Sequence, residues 1–94
     1  MSIDKHKELK DRAKSFALRV IKMSDALPRT RSANVIANQI LRSATSMAAN
    51  YRAMGRARSK AEFLSKLGIV IEEADETVSG LSSLRTAQLF QRAD

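Results

Sequence analysis

Four carboxylates fall within five residues, Glu72, Glu73, Asp75 and Glu76. Metal-binding helical bundles use such groups only when they project inward and are joined by Glu-x-x-His pairs from facing helices. The only histidine is His6, near the N-terminus, and helical spacing sends Glu72 directly away from the apolar side of its own segment. The carboxylates are therefore read as a solvated face, or one paired with basic residues. Glu73 lies at the edge of the apolar stripe, as does Lys66 one heptad earlier, which places it for a structural ion pair with another helix. His6 has no acid, nucleophile or second ligand near it in sequence and is read as exposed and without a task. The serines form no nucleophile elbow and no Ser-x-x-Lys pattern of known mechanism. There is no glycine-rich phosphate loop. The absence of cysteine removes thiolate nucleophiles, thiolate metal sites and disulfides together. No catalytic constellation emerges, and the chain is read as non-enzymatic and without a cofactor or metal.

The basic residues are more informative. Residues 1–31 carry nine Lys/Arg against four Asp/Glu, residues 32–60 five against none, and residues 61–94 three against six. Between Asp25 and Glu62 no acidic side chain occurs, yet Arg29, Arg31, Arg42, Arg52, Arg56, Arg58 and Lys60 all do. The bland reading of such a block is solubility and compensation of helix dipoles. Its one-sidedness over 36 residues, Ala26 to Ala61, brings phosphate backbones or an acidic protein into equal consideration. Only Tyr51 interleaves with it, so stacking on single-stranded bases is not indicated. Contact with the backbone, weakly dependent on sequence, fits better.

These residues must be carried by helices. Alanine, leucine, lysine, arginine, glutamate and methionine dominate, and β-branched residues never alternate over a strand length. Ninety-four residues allow one domain, 1–94, which buries only about 60–65% of its unfolded surface and gains from a partner. No apolar run approaches the roughly 20 residues of a membrane span, and Met1–Arg12 has no signal-peptide core. Together with the lack of cysteine, this predicts a cytoplasmic protein with no membrane role.

The first helix is predicted from about Asp4 to Ala26, with Leu9, Ala13, Phe16, Val20 and Met23 at four-three spacing and Pro28 as the stop. The second is predicted from about Ser32 to Met54, with Ile36, Ile40, Ala44, Met47, Tyr51 and Met54 on one face and Gly55 as terminator. Its opposite side reads Asn38, Arg42, Thr45, Ala49, Arg52, Arg56, so three arginines stack along one side. The third opens on a capping box, Ser59 to Glu62, and carries Phe63, Leu67, Val70, Ala74, Thr77 and Leu81. Ile69 falls off that stripe and is assigned to a second contact. Ser79, Gly80, Ser82 and Ser83 are expected to end the helix near residue 79, because glycine costs about 1 kcal/mol against alanine in a helix interior. The ten residues after Leu84, with Leu89 and Phe90 as apolar content, leave at most a short fourth element. The fold class is all-α, an antiparallel up-down bundle of three main helices with a short or truncated fourth.

From Asn38 onward the residues resemble a known family. The stretch NQILRSATSMAANYRAMGRARSKAEFLSKLGIVIEEADETV is similar to the bacterial four-helix-bundle family called S23, or 23S rRNA intervening-sequence, proteins. Arg42-Ser43-Ala44, Ser46, Asn50, Arg58-Ser59, Glu62-Phe63, Lys66-Leu67 and Glu73-Ala74-Asp75-Glu76-Thr77 carry the resemblance, which extends over roughly residues 7–78. It implies an up-down four-helix bundle that assembles as a ring-like homopentamer. One branch comprises the accessory variability proteins of diversity-generating retroelements, basic oligomers that bind nucleic acid and a reverse transcriptase. Where relatives continue the third helix with an aromatic residue and leucines, this chain has SGLSS.

The sequence is thus read as an oligomeric helical bundle, pentamer before dimer, that binds nucleic acid, RNA before DNA, through phosphates. A reverse transcriptase is the further partner that the resemblance implies. Arg42, Arg52, Arg56, Arg58 and Lys60 are the predicted contact surface, with Arg29 and Arg31 as a second patch. The rival readings are a protein-interaction scaffold without a nucleic-acid role and an inactive, truncated family member.

Overall fold

The computed structural model describes the backbone of residues 3–93 and the side chains of residues 4–88. Three helices account for most of it: α1 (Ile3–Ala26), α2 (Arg31–Met54) and α3 (Lys60–Ala93). They run up, down and up, with α2 packed against both neighbours, while among the described residues α1 and α3 bring no Cα atoms within 8 Å of each other.

Local chemistry sets the ends. At the close of α1, the Leu27 N–H donates to the Ser24 carbonyl at 3.3 Å, and Pro28 then prevents continuation. Thr30 caps α2 with its hydroxyl accepting from the Ala33 N–H at 3.2 Å. Successive i to i+3 bonds, Arg56 N–H to Ala53 O at 3.0 Å and Ala57 N–H to Met54 O at 3.2 Å, tighten the chain beyond α2. Ser59 then caps α3, its Oγ accepting from the Glu62 N–H at 3.0 Å. The Glu62 carboxylate reaches back to the Arg58 N–H at 3.3 Å, one residue before the usual capping-box partner.

Ile40 is the centre of the core. It has no solvent exposure and packs in a buried cluster with Val20, Ala44 and Leu84, surrounded by Phe16, Met23, Leu27, Ile36, Leu41 and Leu81. Ala17 on α1 and Ala37 on α2 are also buried. Their small side chains let the first two helices approach closely. The core is therefore concentrated toward the α1–α2 turn, and the Gly55 end is held by Met54 and a few half-buried residues.

The end of α3 differs from expectation. Residues 80–93, expected to break and begin a short fourth element, continue the same helix to Ala93. Local propensity is overridden by packing. A β-carbon on Gly80 would lie 2.5 Å from the Ile40 Cγ1, so the glycine is the seat of the central core residue. The serines expected to weaken the helix turn their hydroxyls onto it, Ser83 donating to the Ser79 carbonyl at 3.1 Å and Thr86 to that of Ser82 at 3.0 Å. Leu89 and Phe90, the expected apolar content of the last element, lie outside the described side chains. Ile69 is half-buried, and the apolar residues most exposed on α3 are Leu64, Ile71 and Val78.

A buried hydroxyl pair completes the α2–α3 contact. Ser43 Oγ and Thr77 Oγ1 lie 2.8 Å apart with almost no solvent exposure. Their other partners are the carbonyls of Ile40 and Glu73, in their own helices. Sliding either helix would separate the two hydroxyls and leave each with only the carbonyl of its own helix, at the cost of one buried interhelical hydrogen bond, about 0.5–1.5 kcal/mol.

Two glycine substitutions test the role of Gly80. Gly80→Ala, which collides with a side chain that has nowhere to move, should destabilise by about 1–3 kcal/mol in urea unfolding. Gly68, with nothing within 4 Å of its would-be β-carbon, should gain about 0.5–1 kcal/mol on the same change. Equal behaviour of the two variants would show that Gly80 is not a packing glycine.

Candidate nucleic-acid interface

The three arginines expected along one side of α2 fall into different settings, Arg42 and Arg52 on the helix and Arg56 in the turn just beyond it. Arg42 faces α3 and is engaged there. Its Nη1 donates to Glu73 Oε2 at 3.1 Å and to Oε1 at 3.3 Å, and its Nη2 donates to Glu76. The hydrogen bond to Glu73, followed by the attraction of both carboxylates, raises the guanidinium pKa above its ordinary value. The side chain of Glu73 is only 13% exposed against 57% for Arg42, so the carboxylate depends on this partner more than the arginine does. The edge position of Glu73 thus serves the interhelical ion pair that its place on the stripe allowed. Arg42, expected in the contact surface with Arg52 and Arg56, is instead spent on holding α2 to α3.

Ten residues on, or about 15 Å along the helix, the setting is different. Arg52, Arg56, Arg58 and Lys66 line one cleft of about 580 Å³ with Ala49, Ala53 and Glu62. On the other side of α2, Lys10, Asp11 and Lys14 of α1 line a cleft of about 400 Å³ with Ala48, Ala49 and again Arg52. Among the described residues no carboxylate lies within 4 Å of the guanidinium or ammonium group of any of these six side chains. Two acids stand near them, Asp11 and Glu62, and the carboxylate of Glu62 already accepts from the Arg58 N–H.

The remaining predicted residues lie elsewhere. Lys60 is exposed on the first turn of α3, outside the lining of either cleft. Arg29 and Arg31 are exposed at the α1–α2 turn, a full α2 length (about 36 Å) from Arg56. Arg29 lines a cleft that also holds Asp25. They do not join the main group.

Comparison with known proteins bears on this arrangement. The model of the 23S rRNA-intervening sequence protein family matches residues 5–94. The chain belongs to that family. It is also similar to the crystal structure of a protein with unknown function from the S23 ribosomal protein family, from Bacteroides thetaiotaomicron. That likeness has a TM-score of 0.82 at 36% identity and covers 90% of this chain and 76% of that one. No curated protein matches.

In this S23-family chain, sequence reasoning missed Lys10, Lys14 and Lys66 as members of the cationic group. Lys10 and Lys14 each follow a stripe residue, Leu9 and Ala13, by one position and so fall at the flank of α1. Only the antiparallel pairing of α1 with α2 brings that flank beside Arg52. His6 was also misjudged. It is half-buried and stacked on Tyr51, ring centroids 5.3 Å apart, at a position where a β-carbon on Gly55 would lie 2.5 Å from its Nε2. Gly55 ends α2 in a right-handed conformation, and its lack of a side chain makes room for the histidine. Burial raises the Tyr51 pKa above its ordinary value. No helix among the described residues is long and apolar enough to cross a membrane.

Arg42→Gln should lower the melting temperature, because Glu73 loses its partner, and should leave affinity for RNA within about twofold of the parent at matched salt. Thermal melts by circular dichroism and oligonucleotide titrations measure the two effects. A large loss of RNA affinity with unchanged melting would return Arg42 to the contact surface.

Proposed function

We propose that this protein is a non-enzymatic, self-associating helical bundle that binds nucleic acid, RNA before DNA, through the phosphate backbone at the Gly55 end. The observation that carries the reading is the cleft lined by Arg52, Arg56, Arg58 and Lys66, with no carboxylate among the described residues in salt-bridge range of any of their charged groups. Unpaired guanidinium and ammonium groups on a shallow surface are suited to phosphate oxygens. The tyrosine in this region is occupied by His6, which favours backbone contact over base stacking.

Self-association is supported separately. Leu64, Ile71 and Val78 are each more than half exposed and recur at seven-residue intervals along α3, while Leu18, Ile21 and Val35 add apolar surface on the other helices. Apolar side chains left exposed at a heptad spacing along one helix suit a contact with another helical surface. A ring of subunits would repeat the cationic cleft and add weak contacts through multivalency. The family resemblance makes a pentamer the first expectation and a dimer the second. Light scattering at tens of micromolar should give a mass well above the 10.4 kDa monomer, and a monomer there removes this part of the proposal.

The nucleic-acid reading is tested by titrating single-stranded RNA of two unrelated sequences across a range of salt. Replacing Arg52, Arg56 and Arg58 together by glutamine should weaken both equally. It should also flatten the slope of log K against log salt by about 2, since each phosphate contact to a single strand contributes about 0.7. A parent protein that ignores RNA and DNA at physiological salt but retains an acidic protein would establish the scaffold reading instead.

A further inference from the structure

The two cationic clefts are joined. Both are lined by Ala49 and Arg52, so they form the two valleys on either side of the exposed ridge of α2. At Ala49 that ridge is reduced to a methyl group. Lys10 and Lys14 stand in one valley, Arg56, Arg58 and Lys66 in the other, and Arg52 borders both.

The direction of a bound strand follows from the surrounding charge. A polyanion running along α2 from Arg56 toward Arg42 would reach a guanidinium already held by Glu73 and Glu76, with Glu72 and Asp75 on the same stretch of α3. That path ends in repulsion. A path across α2 at Ala49 meets cations in both valleys. Helices in contact lie about 8–10 Å apart, so the two valleys, each midway between α2 and a neighbour, are separated by about the same distance. The six cations stand on both sides of that short crossing.

We propose that a short single-stranded segment lies across α2 at Ala49, with Lys10 and Lys14 of α1 as binding residues alongside the α2–α3 cations. The inference rests on the nucleic-acid reading above and adds to it a path, a strand state and two residues on another helix. A flexible single strand can follow a valley, a ridge and a second valley. A stiff duplex rests on the ridge and reaches fewer of the six.

The experiment uses the full chain and a fluorescently labelled uridine hexanucleotide, with a duplex DNA of equal length per strand as comparison, followed by anisotropy over a salt series. The parent should bind the single strand more tightly than the duplex. Lys10→Gln with Lys14→Gln should weaken binding severalfold and reduce the salt slope by about 1.4, two contacts at about 0.7 each. Ala49→Leu, which raises the ridge without altering charge, should weaken binding while leaving the slope unchanged. Ala49→Gln serves as a second, more soluble variant, and circular dichroism melts confirm that each protein is folded. If the double lysine variant binds as the parent does while Arg52→Gln/Arg56→Gln/Arg58→Gln weakens binding, the crossing path is wrong and the broader reading stands. Tighter binding of duplex than of single strand, or insensitivity to both Ala49 variants, also overturns the path. A parent that binds neither nucleic acid even at low salt overturns path and reading together.

Discussion

Ile40 occupies, to within 2.5 Å, the position that a β-carbon on residue 80 would take. This contact, locked by the buried Ser43–Thr77 hydroxyl pair, permits essentially one register between α2 and α3. The polar surface then follows. With Ile40 against Gly80, Arg42 comes opposite Glu73 and Glu76, and the last turns of α2 come beside Lys66. A shift of one turn, about 5.4 Å, would break the hydroxyl pair and reassign every charge across the interface. An apolar contact thereby decides which cations are neutralised and which remain available.

The division of labour among arginines is a consequence. Arg42 and Arg52 share one side of α2, and Arg56 follows in the turn beyond it, yet the first pairs with carboxylates of α3 and the others face open clefts. The difference lies in what α3 presents: a run of carboxylates at one level and Lys66 with Glu62 at the other. An exposed ion pair between two side chains contributes little to stability. The contact of Arg42 with two carboxylates is of greater structural weight because Glu73 is mostly covered.

Much of the fold is legible in the sequence because four-three spacing, the capping box at Ser59 and the stop at Pro28 are local signals. The first two helices end where those signals place them. The continuation of α3 was not legible, since the cost of Gly80 and its neighbouring serines is visible along the chain while the compensating contact lies forty residues away at Ile40. The cationic surface was legible in part for a similar reason. Periodicity places three arginines on one side of α2, but it leaves the register of neighbouring helices open. Glu73 could be recognised at a stripe edge, whereas its pairing with Arg42 in particular, and the approach of Lys10 and Lys14 to Arg52, required that register. His6 carried no sequence signal, because its stacking on Tyr51 depends on a glycine at position 55 that reads first as a helix terminator.

The placement of α2 between two partners also bears on how the chain reaches this structure. Among the described residues, backbone approach joins helices that are consecutive in sequence, α1 with α2 and α2 with α3, and not α1 with α3. Each hairpin closes over a connection of a few residues, so the entropy of closing long loops is largely avoided. Chains dominated by such near-neighbour contacts reach the native state in microseconds to milliseconds. The hydroxyl pair and the Ile40–Gly80 contact both sit in the second hairpin, so the contacts that fix a register join α2 to α3, while α1 adds Val20 to the core they share.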